Sequence, residues 1–313
     1  MQLLIGLLAV FLSGWTACAA AAGPATSSHG GEAGAHAGHH GLPPAPVTVF
    51  HLGPLPVTNS MVVTWIAAAG LIVFARRALR RIEAVPRGAQ NFWEWLVESL
   101  YDFLEGVIGR DLVRKTFWFF ATIFIFILFT NWISLFPGVG TIGWGVQTEH
   151  GFRLVKPLFR GGNADLNMTA AMAMIFFAFW TVWAFQANGA KGVFLHIFGP
   201  KGESAGLMRL MMIVVFFAVG ILEVISILFR PVSLSFRLYG NIFAGENLLE
   251  TMATMIQEPA WAKAVFSVLL PIPFYFMELL VGLVQALVFM LLTAVFTMLI
   301  CTHEEGAGGG HGH

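Results

Sequence analysis

The stretch GILEVISILFRPVSLSFRLYGNIFAGENLL, Gly220 to Leu249, decides how this chain is folded. Its strongest break signal is Arg230-Pro231. Read as a stop, the proline divides two spans. Read as a kink, it sits inside one helix running from about Ala205 to Gln257. At about 1.5 Å per residue, that helix is far longer than the roughly 30 Å hydrocarbon layer of a bilayer, so it lies steeply tilted. Spacing alone leaves both readings open. The same stretch sets Glu223, Arg230, Arg237, Asn241 and Glu246 among apolar residues.

The rest of the chain shares that apolar character. Of its 313 residues, 57% are hydrophobic and 11% are charged, and the mean hydropathy is +0.77. A soluble domain carries about 25% charged residues. The expected fold class is therefore an all-α polytopic membrane protein, embedded in a lipid bilayer. A formal net charge of zero gives no basic surface for nucleic acid. Cys18 and Cys301 stand at opposite ends, which excludes a disulfide framework or a thiolate metal site. No cofactor or metal is expected.

Working outward toward the N-terminus, Met1 to Ala22 has an apolar run followed by small residues. It resembles a secretory signal peptide cut near the alanines, although its first residues lack Lys and Arg. An uncleaved span is the alternative. Residues 23–56 are rich in Gly, Ala, His and Pro and are expected to form a disordered external arm. His29, His36, His39 and His40 have no carboxylate or thiolate set around them to define a metal geometry.

The first span after the arm is expected from Ser60 to Ala75, ending at Arg76–Arg81. By the positive-inside rule that end is cytoplasmic and the arm is outside. In the segment after Pro86, Phe92, Leu96, Leu100, Phe103, Leu104 and Val107 recur at three- and four-residue spacing. Glu94, Glu98, Asp102 and Glu105 fall elsewhere. That is an amphipathic helix, lying on the membrane or against partners rather than crossing it. Two ordinary spans follow, Phe117 to Phe136 and Met168 to Ala187, joined by an external loop that closes with GGNADLNMT. Asp165 or Asn167 is the expected cap of the latter span. The last apolar segment, Ala264 to Thr302, is again too long for an upright crossing. A tail, 303–313, is expected to be disordered and cytoplasmic.

An ionisable side chain at mid-membrane costs about 2.5–3.5 kcal/mol on insertion scales, so each one calls for a partner, water or a function. Arg230 and Glu250, near possible helix ends, are expected to snorkel to the interface. At 100° per residue, Arg237 shares a helix face with Arg230, Asn241, Ala244 and Leu248, with Ser233 and Gly240 beside it. This is a positive charge among small neighbours, open to another helix. Glu246, nine residues on, points to the opposite side. Glu223, fourteen residues before Arg237, lies about 21 Å from it along the axis. Glu278 and Gln285 share one face of the last helix, as a polar track or a helix–helix hydrogen bond. Carboxylates in apolar surroundings can take up and pass on protons. Arginine keeps its charge. Two acid-lined half-paths separated by an arginine barrier follow, with the missing carboxylate on a partner.

That constellation resembles the a-subunit family of F-type ATP synthases. PVSLSFRLYGNIFAGENLL, Pro231 to Leu249, is similar to the family's most specific motif. LVQALVFMLLT, Leu283 to Thr293, and ADLNMT, Ala164 to Thr169, support it. The resemblance covers about Val57 to His303, and 57–302 is the expected membrane domain. It implies five membrane-crossing helices plus a surface amphipathic helix. The last two crossings are long, tilted and form a hairpin against a c-ring, which favours the single kinked helix. It implies b-type peripheral stalk subunits as further partners, a bacterial energy-coupling membrane, and a non-catalytic role. Residue by residue, Arg237 matches the arginine that faces the ring carboxylate. Asn241, Glu246, Glu278 and Gln285 match the half-channel open to the outside. Glu223 matches the half-channel open to the cytoplasm. Some members carry His where Glu278 stands; here both positions of the pair are acidic, and two neighbouring carboxylates can share one proton. The rival function is a stand-alone secondary transporter or channel, which normally shows an internal repeat. None is present in the sequence.

Overall fold

The computed structural model describes residues 47–301 except 53–54, 81, 84, 137–138, 140–141, 149–150, 199–206 and 257–258. The leader, the four arm histidines and the tail 303–313 lie outside the described residues. A hairpin opens the described chain, β1 (Thr48–Leu52) against β2 (Leu55–Thr58). The end of the stretch expected to be a disordered arm is thus regular structure. TVFHL and LPVT are rich in β-branched and aromatic residues, and Asn59 N donates to Val47 O at 3.0 Å, closing the hairpin onto the following helix.

Among the described residues seven helices follow: α1 (Asn59–Ala78), α2 (Ala89–Ile108), α3 (Arg110–Ser134), α4 (Leu166–Phe198, kinked where Gly189 leaves helical geometry), α5 (Leu207–Thr254), α6 (Ala260–Leu269) and α7 (Pro271–Cys301). Between α3 and α4 lie a second hairpin, β3 (Gly143–Thr148) with β4 (Gly151–Pro157), and a 3₁₀ turn, Gly162–Ala164. Among the described residues, five segments are long and apolar enough to cross a membrane: α1, α3, α4 to Gly189, α5, and α6 with α7. This is an all-α polytopic membrane protein with a long C-terminal helical hairpin.

Helix α5 resolves the opening question. It is one helix of 48 residues with Pro231 inside it, about 70 Å long. Proline removes one backbone donor, and Ser235 Oγ donates to Pro231 O at 2.7 Å in the following turn. The last segment, expected from Ala264 to Thr302, is divided at Leu270, where Pro271 begins α7. Proline is tolerated at a first helical position because its missing N–H has no intrahelical partner there. At the start of α4, Asp165 Oδ1 accepts from Asn167 N at 3.0 Å, so the cap is Asp165 rather than Asn167.

Helix α2 packs on α3 instead of crossing, and its buried side follows the periodic reading at Leu100 and Leu104, with Leu96 and Val107 partly buried, but departs from it at two phenylalanines. Trp93, Leu100, Leu104 and Ile108 are buried, whereas Phe92 and Phe103 are exposed. Trp93 stacks on Phe129 of α3, with centroids 6.3 Å apart and planes 10° from parallel, and this contact sets the roll of α2. The core runs along α3 and α4, where Phe119, Phe120, Ile123, Ile127, Met168, Met172 and Phe176 are fully buried.

Candidate functional site

Helix α7 is held along its length by side chains that donate to its carbonyls. Trp132 Nε1 reaches Leu279 O at 3.3 Å and Asn131 Nδ2 reaches Gly282 O at 3.0 Å. Further along, Trp180 Nε1 reaches Phe296 O at 3.1 Å and Asn188 Nδ2 reaches Ile300 O at 2.7 Å. Exposed or shared carbonyls of this kind let polar side chains lock apolar helices together. Glu278 and Gln285 therefore sit on a helix of settled rotation. Glu278 is buried and Gln285 half-buried.

Glu246 and Glu278 come together. A Cβ on Gly245 would overlap the Glu278 carboxyl group, so that carboxyl lies directly on the α5 backbone beside Glu246. Glu246 in turn lies on the loop before α4: a Cβ on Gly161 would overlap its Oε1 and come within 2.7 Å of Ser134 Cβ. Both Glu246 oxygens are shielded from solvent and have no hydrogen-bond partner among the described residues. Among the described residues, Arg160 and Glu278 act electrostatically on Glu246.

Arg237 stands apart from this pair. It is exposed on the outer surface of α5 together with Val232, Ser233, Phe236, Asn241 and Ala244. The opposite orientation of Arg237 and Glu246, read from the nine-residue spacing, holds. Gly240 has no atom within 4 Å of where a Cβ would stand, so the surface beside the arginine is open. Asn241 belongs to this open surface rather than to the buried carboxyl pair.

Glu223 is also exposed, and it has a partner that spacing had assigned elsewhere. Arg230 Nη2 donates to Glu223 Oε1 at 3.2 Å. Because α5 continues through Pro231, Arg230 is not at a helix end. Its guanidinium packs over Phe296 of α7, 4.6 Å from the ring centroid, and over Trp180 of α4 at 5.8 Å. Glu250 is half-buried.

Three buried polar residues near the carboxyl pair escape a reading based on helix periodicity. Arg160 is 1% exposed, Asn131 1% and Asn163 0%. Asn163 Nδ2 donates to Asn131 Oδ1 at 2.6 Å, which links the 3₁₀ turn through α3 to α7. Asp165 accepts from Ser60 Oγ at 2.5 Å, joining the same turn to α1. Gly162 is required here, since a Cβ would stand 2.5 Å from Thr64 Oγ1. The available signal was the sequence FRGGNAD: a charged residue followed by two glycines at the mouth of an apolar span.

Residues 61–298 match the family model described as ATP synthase A chain. The chain is 32% identical over 251 residues to ATP synthase subunit a of Moorella thermoacetica, covering 80% of this chain and 94% of that protein. It is 32% identical over 236 residues to ATP synthase subunit a of Desulfotalea psychrophila, covering 75% and 81%. It is 31% identical over 245 residues to the sodium ion specific ATP synthase subunit a of Propionigenium modestum, covering 77% and 73%. This chain belongs to the ATP synthase A chain family.

Proposed function

We propose that the chain is the ion-translocating a subunit of a rotary F-type ATP synthase, and that the ion is the proton. It is not catalytic. It offers two offset half-channels to a ring of c subunits, in a bacterial energy-coupling membrane. Its N-terminus is outside, its C-terminus is cytoplasmic, and b-type stalk subunits hold it still. Membership of the family supports an ion-channel role in that complex.

One observation carries the finer reading: α5 presents Arg237 on an exposed surface with Ser233, Asn241 and Ala244 beside it, and Glu246 on its opposite, shielded side. Protons enter from outside past Glu278 and Glu246 and load a ring carboxylate. They ride the ring round and leave past Glu223. Gln285 and Asn241 belong to the outward half-channel, Gln285 along α7 and Asn241 where the path meets the ring. Arg237 favours the ionised ring carboxylate as it passes and blocks the direct route, because a guanidinium does not release its proton. A charge crossing 100 mV releases about 2.3 kcal/mol. The barrier makes that passage turn the ring.

The test is Arg237→Ala in the assembled complex, reconstituted in vesicles under an imposed proton gradient. Assembly is expected to persist and ATP synthesis to vanish. Retained synthesis would remove the barrier role.

A further inference from the structure

Glycine is disfavoured inside a helix, and α7 contains a single one, Gly282. Glu278, Gly282 and Gln285 stand at i, i+4 and i+7, so they follow one another along one face of α7. At Gly282 that face is bare backbone, and Asn131 of α3 occupies it. The Asn131 Cβ lies 3.1 Å from where a Cβ of residue 282 would stand, and Asn131 Nδ2 donates to Gly282 O at 3.0 Å. The amide is therefore seated on α7 between Glu278 and Gln285.

The oxygen of the same amide reaches the loop before α4. Asn163 Nδ2 donates to Asn131 Oδ1 at 2.6 Å, and both side chains are buried. That loop also seats Glu246, through Gly161, two residues before Asn163. Two backbones thus place the two carboxyl groups: the loop for Glu246 and α7 for Glu278. Asn131 joins them with one side chain and two hydrogen bonds. The indoles of Trp132 and Trp180 have one donor each, so their bonds to Leu279 O and Phe296 O end at α7.

We propose that Asn131 is a positioning residue of the outward half-channel: through Gly282 and Asn163 it sets the separation of the Glu246 and Glu278 carboxyl groups. This rests on the half-channel reading above. Asn131 acts through the two backbones it joins and exchanges no proton.

The test has two arms, both in the whole ATP synthase. In the first, Cys18 and Cys301 are replaced by alanine, and Gly245→Cys is combined with Glu278→Cys. A Cβ on Gly245 overlaps the Glu278 carboxyl, so the two thiols stand within reach of a disulfide. Its yield in mildly oxidised membranes reads how α7 sits on α5 at the pair. In the second arm Gly245 and Glu278 are kept, and ATP-driven proton pumping is measured in inverted vesicles per assembled subunit. Asn163→Leu removes the loop end of the bridge, and Asn131→Leu removes both ends. Asn163→Leu is expected to lower disulfide yield and pumping about fivefold, the factor to which one buried hydrogen bond corresponds, and Asn131→Leu at least as much. Trp132→Phe removes a bond that ends at α7 and is expected to lower both by less than Asn163→Leu does. An unchanged disulfide yield in Asn131→Leu overturns the proposal, as does a lowered yield with wild-type pumping. Losses in Trp132→Phe as large as in Asn163→Leu show that packing of α3 on α7 is enough, and overturn it too. If Asn131→Leu does not assemble, Asn163→Leu decides. Failure of both to assemble makes the bridge a folding contact and overturns the proposal. Retained synthesis in Arg237→Ala sinks the half-channel reading whatever the disulfide yield. Lost synthesis there with an unchanged yield in Asn131→Leu sinks this proposal alone.

Discussion

The two acidic places on α5 are built in opposite ways. Near one end, Glu246 is shielded, faces another carboxyl group, and lies under a loop that carries Arg160. Toward the other, Glu223 is exposed and holds Arg230 across two helical turns of the same helix. The first place is packed against backbone, so its geometry is imposed by neighbours. The second is a side-chain pair at a surface, steadied from one side by the rings of Phe296 and Trp180. The difference teaches where a mutation acts: by steric conflict at the Glu246 end, by charge at the Glu223 end.

The sharpest way to break the contrast is to add one methyl group at each of two glycines. Gly161 has φ −52° and ψ 131°, a conformation open to any residue, so its substitution acts through space alone. A Cβ there meets both the Glu246 carboxylate and, at 2.7 Å, the Ser134 Cβ on buried α3. Serine's Cβ cannot move without α3. Gly161→Ala is expected to cost about 1–3 kcal/mol as overpacking and to lower the yield of assembled complex. At Gly245 the three atoms nearest a Cβ all belong to the Glu278 carboxyl, the far end of a flexible side chain. Gly245→Ala is expected to assemble normally but pump several-fold more slowly, since the Glu278 carboxyl must leave its place on the α5 backbone. Equal yields for the two variants would show that the loop before α4 yields as readily as a side chain.

At the other end the expected effect is on coupling, not assembly. Glu223→Gln keeps the size of the side chain and removes its charge. We expect unchanged assembly and coupled proton flux reduced several-fold, measured as pumping per ATP hydrolysed. Flux equal to wild type would make Glu223 a structural partner of Arg230 and nothing more.

Much of this contrast was legible in the sequence, and what was not has a physical reason. Helix periodicity was enough to put Arg237 and Glu246 on opposite sides of α5, because a regular helix turns 100° per residue whatever surrounds it. It was not enough to decide whether Pro231 ends or kinks the helix. A proline's local cost is the same in both cases, and the neighbours decide. The Arg230–Glu223 pair was missed for that reason: with a break at Pro231, Arg230 stands at a helix end and snorkels. Arg160 was missed because a charged residue in a loop ordinarily faces water. Only the folding of FRGGNAD between α1, α3 and α5 buries it. The roll of α2 depends on the Trp93–Phe129 stack, a contact between helices that no single-helix period contains.

The smallest effect is expected at the brace behind Arg230. Its guanidinium is 4.6 Å from the Phe296 ring centroid, closer than to Trp180, and Phe296 approaches from α7. Phe296→Leu keeps an apolar side chain and removes the ring face. A cation–π contact contributes about 0.5–1 kcal/mol at partly exposed sites, which corresponds to roughly a two- to five-fold change in the population of the braced arginine. The variant is expected to assemble fully and to lose at most that factor in coupled flux. Combined with Glu223→Gln it is expected to add nothing, because the brace acts only through the pair it steadies. A double variant slower than Glu223→Gln by the full factor of the single change would show that Phe296 serves the α5–α7 packing independently. The Glu223 end would then depend on neighbouring packing in the same way as the Glu246 end.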